Sequence, residues 1–171
     1  MILDASSVLS QNQAVTVTAP STNVYDTAGL GVGQAVTNIF GIAIGGNFGE
    51  DLGGGGPLAG APQLQVIVGT TFTAAGAATM QFQLEAAVDV SNTGLPVTWD
   101  IIAESDAIAV ALLTAGAVPV KFTVPERYLG QQFPRFYRLN YVVATGPMTA
   151  GTVSAQLLTG IDSIQTYPAN Y

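Results

Sequence analysis

Between Met80 and Val88 the chain alternates without a break. Met80, Phe82, Leu84, Ala86 and Val88 are apolar, and Gln81, Gln83, Glu85 and Ala87 stand between them. A period of two puts one set on each face of a pleated strand, so this segment commits to a half-buried β-strand. Further strand-like runs lie at Leu64–Val68, Val97–Ala103, Ala107–Leu113, Val118–Val124, Phe136–Ala144 and Thr152–Leu158. Turn residues separate them at Asn92-Thr93-Gly94, Gly116, Pro125, Gly130-Gln131, Gly146-Pro147 and Gly160. No persuasive amphipathic helix interrupts the series, although Ala107–Leu113 also fits a short helix. About eight short strands in 171 residues predict an all-β protein, a jelly-roll-like β-sandwich forming one domain over 1–171.

Two stretches stand apart from this pattern. Residues 1–26 are mostly small and polar, with Ser6-Ser7, Gln11-Asn12-Gln13 and Pro20-Ser21-Thr22-Asn23. They read as an extended N-terminal arm with one short strand at Ala14–Thr18. Residues 45–62 read as a long Gly-rich loop, because glycine at such density forbids a strand or helix interior. On that loop Phe48 and Leu52 are the side chains suited to insertion into a neighbouring subunit.

The chain contains no His and no Cys. Imidazole proton shuttles, thiol nucleophiles, disulfides and soft-metal sites are thereby excluded. All four basic residues, Lys121, Arg127, Arg135 and Arg138, fall within residues 121–138, which carry +3 once Glu126 is counted. The other 153 residues carry −10. Such a balance repels a phosphate backbone, and no nucleic-acid partner is expected. Charged residues are only 9% of the chain, against roughly 25% in an ordinary soluble domain. Either a membrane or neighbouring subunits would account for so neutral a surface. The uncharged window Thr27–Gly49 holds seven glycines and several amides, Ala107–Val120 is too short to span, and Met1-Ile2-Leu3-Asp4 lacks a basic n-region. No membrane partner is expected, and the surface reads as contact-rich.

Chemistry finds little support. The glycines at 29, 31 and 33 lack the third glycine of a dinucleotide fingerprint, and residues 45–62 lack the Lys-Ser or Lys-Thr of a phosphate loop. Asp100, Glu104 and Asp106 fail the spacing of a calcium loop and read as a solvated corner between strands. No Ser-x-x-Lys precedes Lys121. The chain is expected to be no enzyme and to take no cofactor or metal. The distinctive stretch is Pro125–Tyr141, rich in aromatic and basic residues. On a strand, Tyr137, Leu139, Tyr141 and Val143 share one face, which reads as core, and Phe136, Arg138 and Asn140 share the other. Arg127, Arg135 and Arg138 are suited to bidentate carboxylate binding, within this chain or across to a neighbour.

Several motifs carry a family resemblance. They are Met1-Ile2-Leu3-Asp4-Ala5, the Gly-rich loop, Arg127-Tyr128-Leu129 leading into Phe136-Tyr137-Arg138-Leu139-Asn140-Tyr141-Val142-Val143, and Thr149–Leu157. The chain resembles the small capsid cement proteins of tailed bacteriophages, of the type first described in a Bordetella phage. The resemblance implies a jelly-roll subunit on the outer capsid face of a virion, made in the host bacterial cytoplasm. It further implies oligomerisation near symmetry axes, major capsid protein as partner, and no catalytic residues.

The expected function is therefore decoration and cementing of a phage capsid. Phe48, Leu52, Arg127, Tyr128, Arg135 and Arg138 are the expected subunit or capsid contacts. A homodimer is expected over a homotrimer, since twofold pairs are the commonest closed assembly. The alternatives are a carbohydrate-binding jelly roll, with Trp99, Tyr25 and Tyr128 as stacking candidates, and a structural part of a tail or fibre.

Overall fold

The computed structural model describes residues 7–27, 32–33, 62–124 and 134–159. In chain order the strands are β1 (Val8–Ala14), β2 (Ala19–Pro20), β3 (Tyr25–Asp26), β4 (Pro62–Ala74) and β5 (Thr79–Ala87). There follow β6 (Asp100–Glu104), β7 (Ile108–Ala109), β8 (Val120–Thr123), β9 (Phe136–Ala144) and β10 (Met148–Thr159). One sheet runs β1-β10-β4-β8, and the other runs β2-β9-β5-β6, with β3 also on β9 and β7 also on β5. Every pairing is antiparallel.

The pairings across the roll are nested: β1 meets β10, β2 and β3 meet β9, β4 meets β8, and β5 meets β6 and β7. A long hairpin with its bend between β5 and β6, rolled so that successive pairs fall in alternate sheets, is a jelly roll. The sequence expectation of an all-β jelly-roll sandwich is met, with interrupted strands at β2/β3 and β6/β7.

The core follows from the period-two pattern. Met80, Phe82 and Leu84 of β5 and Leu139 and Tyr141 of β9 point inward, against Leu64, Val66 and Val68 of β4 and Val153, Ala155 and Leu157 of β10. Phe82 and Tyr141 meet edge-on at 5.9 Å between centroids. The Tyr141 hydroxyl crosses the sandwich and donates to Ser10 Oγ on β1 at 2.7 Å, and Ser10 Oγ donates to Gln13 Oε1 at 2.7 Å. A buried hydroxyl pair thus ties the two sheets without an unsatisfied group.

Two glycines make close approaches possible. The β4–β10 register slips at Gly69, where a Cβ would run into Thr152 and Asn12. Gly151, at φ 131°, lies under the Phe72 ring, and a Cβ there would enter the ring.

Several sequence expectations need correction. Residues 8–26 are no free arm: β1 is an edge strand of one sheet, and β2 and β3 pair with β9 in the other. The arm's one strand was expected at Ala14–Thr18, but it lies at Val8–Ala14, and 16–18 bend between the sheets. The cause is Ser10, a polar residue that is buried because Tyr141 satisfies it. Strands β4 and β10 are longer than expected, and Ala107–Leu113 divides into β7 and a 3-10 turn at Val110–Leu112. Residues 1–6 and the Gly-rich loop up to residue 61 lie outside the described residues.

Candidate contact surface

The outward residues of β5 and β9 stand in register, Gln83 beside Asn140 and Glu85 beside Arg138. Arg138 Nε donates to Glu85 Oε2 at 2.5 Å, and its guanidinium carbon lies 4.2 Å from the Trp99 ring centroid. Ion pair and ring stacking together fix Arg138 on the sheet face. A polar band continues from it: Asn140 Nδ2 donates to Gln83 Oε1, and Gln81 and Gln83 both donate to Glu104 Oε2 on β6.

Arg135 precedes β9, and its backbone is held from both sides. Its N–H donates to Ala87 O, and its carbonyl accepts from Thr27 N–H, each at 2.9 Å. The side chain then points inward, 5% exposed. Nε and Nη2 donate to the two oxygens of Asp26 at 2.9 and 3.0 Å, and Nη1 donates to Asp89 Oδ2 at 2.6 Å. The guanidinium also lies over Phe136, 4.8 Å from the ring centroid. Hydrogen bonding to Asp26 raises the Arg135 pKa from an already high value, against the desolvation that lowers it. This triad joins β3, the end of β5 and the start of β9.

Asp89 reaches further. Its carboxylate accepts the N–H groups of Thr93 at 2.9 Å and Gly94 at 2.8 Å, closing the turn that leaves β5. The segment from that turn to β6 presents Val90 at 60%, Leu95 at 52% and Val97 at 60% exposure, and β6 adds Ile101 at 47%. These are four of the eight large apolar side chains exposed among the described residues, gathered within twelve positions. Scattered apolar exposure is ordinary; here four exposed apolar side chains fall in one segment, and Asp89 of the buried ion triad holds the turn at its start.

The expected contact residues divide sharply. Phe48, Leu52, Arg127 and Tyr128 lie outside the described residues. Arg135 is corrected from contact residue to internal tie, because both of its edges are taken by carboxylates of its own chain. Arg138 is half-buried on the outer face, and its carboxylate partner is also of its own chain. Of the stacking candidates for a sugar, Tyr25 is buried, Trp99 has one face against Arg138, and Tyr128 lies outside the described residues. Asp100 and Glu104 end β6 and Asp106 follows it, all exposed, as a solvated corner requires. Among the described residues no group of carboxylates is arranged to hold a metal ion, and no helix is long and apolar enough to cross a membrane. Sequence reasoning missed Val90, Leu95, Val97 and Ile101. Asp89 five residues before Gly94 was the available signal, since a short acid can hold such a turn.

No curated protein matches the chain. The model of one family, Bbp16, matches residues 9–157, from β1 nearly to the end of β10. This β-sandwich chain, phage-related by that match, belongs to the Bbp16 family, which takes its name from a Bordetella phage protein.

Proposed function

We propose that this protein is a structural virion component that decorates the outer surface of a tailed-phage capsid and cements it by bridging major capsid protein subunits. The carrying observation is the exposed apolar segment 90–101, whose first turn is held by Asp89 of the Asp26–Arg135–Asp89 triad, in a family of phage origin. A cement needs rigid complementary surface and no reactive group, and a fixed apolar segment on a jelly roll supplies that. The subunit is proposed to act as a homodimer, so that one particle grips two shell subunits.

The test is size-exclusion chromatography with light scattering, on the protein alone and mixed with emptied shells of its phage. A small oligomer that co-elutes with shells and raises their thermal disruption temperature is the expected result. A free oligomer that leaves shells unbound and unstabilised sinks the reading.

A further inference from the structure

We propose that the outer edge of β6, unpaired among the described residues, takes up an extended, basic segment of the shell protein as an added strand. This rests on the capsid-decoration reading and names the surface it uses. Four sheet edges exist among the described residues, and they are treated differently. The β1 edge is covered by the returning chain: Asn23 N–H donates to Leu9 O at 2.9 Å, Asn23 Nδ2 to Val8 O at 3.0 Å, and Gln13 Nε2 to Pro20 O at 2.8 Å. The β2/β3 edge is two residues at a time and contains Pro20, which has no N–H to offer. The β8 edge is four residues long and bears the exposed Lys121.

The β6 edge differs. It is five residues long, pairs with β5 on one side, and has no backbone partner on the other among the described residues. Ile101 stands exposed on it, and the segment leading into it carries the exposed Leu95 and Val97. A bulge at Ile102 turns Ile101 to the same outer face as Glu104. An incoming strand therefore finds backbone groups that no described residue pairs, an aliphatic contact and a carboxylate within one strand length.

Charge selects the occupant. Asp100, Glu104 and Asp106 are the exposed carboxylates of the described residues, and all lie on or beside this edge. A second copy pairing β6 with β6 would bring the same carboxylates against one another, so self-association through this edge is opposed. A segment alternating Lys or Arg with aliphatic residues meets opposite charge and apolar surface in turn. Acid on an open edge thus excludes a second copy and admits a basic partner strand.

The probe is the emptied shell of the phage, stripped of this protein. Asp100→Asn, Glu104→Gln and Asp106→Asn combined, and Ile101→Glu alone, are compared with wild type and with Lys121→Gln as a control on the other sheet. Thermal unfolding certifies that each variant is folded. At least tenfold weaker shell binding by both β6 variants is expected, with Lys121→Gln unchanged. Slowed hydrogen exchange of the amides at 101–104 on shell binding is the signature of an added strand, which a purely side-chain contact does not give. Wild type and β6 variants that bind shells equally, or unprotected β6 amides in the bound state, overturn this inference and leave decoration standing. Shells ignored by wild type overturn both. Dimerisation of wild type that the β6 variants lose assigns the edge to a second copy and also overturns it.

Discussion

Arg135 is the residue on which most of the local order depends, since its guanidinium faces two carboxylates that are themselves nearly inaccessible. Arg135→Ala removes the cation that the buried Asp26 and Asp89 share and should cost about 3–5 kcal/mol. A lower urea midpoint at unchanged slope is the expected reading. Arg135→Lys should recover only part of the loss, because a single ammonium cannot span both carboxylates. The two core-side tyrosines of β9 give a pH response. Burial pushes the hydroxyls of Tyr137 and Tyr141 above the ordinary 10.0, although the Ser10 hydrogen bond pulls Tyr141 partly back. At alkaline pH the unfolded chain releases these protons first, so the stabilisation is complete below about pH 10 and is lost as pH rises through the raised values. Tyr141→Phe should lower stability near neutrality by about 1 kcal/mol, through loss of the bond to Ser10. It should also flatten the alkaline decline; an equally steep decline in the variant would assign the response to other groups.

At the scale of single elements, the Phe72–Gly151 contact sets how β4 crosses β10. Gly151→Ala places a methyl in the ring and an L-residue at φ 131°, and should destabilise by about 1–3 kcal/mol. Phe72→Ala opens a cavity of its own, yet the double variant should lose at least about 0.5 kcal/mol less than the two single losses together. Additive losses would show that backbone strain alone disfavours a side chain at 151. Strands such as β5 and β9 were legible in the sequence because each alternates cleanly across one buried face. Strand β1 was not, since Val8-Leu9-Ser10-Gln11-Asn12-Gln13 looks like loop until Tyr141 supplies a partner for Ser10. The far half of β4 was hidden by Gly69, which reads as a breaker and acts as a bulge. The contact surface was half legible. The arginines drew attention by type, but the carboxylates holding Arg135 are 109 and 46 residues away in sequence, and only the fold brings them together. The exposed segment 90–101 escaped notice because apolar residues in a β-rich chain are first assigned to the interior.

For the molecule as a whole, nested pairing sets a timetable. Strand β1 precedes every other described strand and its partner β10 follows them all: Val8 pairs with Gln156. Each outer pair closes a loop that contains all the inner ones, so native contacts are dominated by distant partners. Refolding from urea should take milliseconds to seconds or longer, as in other sandwiches with such connectivity, rather than the microseconds of helical bundles. A submillisecond single-exponential return of tertiary fluorescence from Trp99 would contradict this. The same nesting bears on synthesis. A chain halted before β10 leaves β1 without its sheet partner and β4 with β8 alone, so Leu9, Leu64, Val66 and Val68 lack the core strand that lies between them. Such a product is food for proteases and chaperones. Only a chain translated through β10 can close the roll, so the order of strands doubles as a completeness check on the fold.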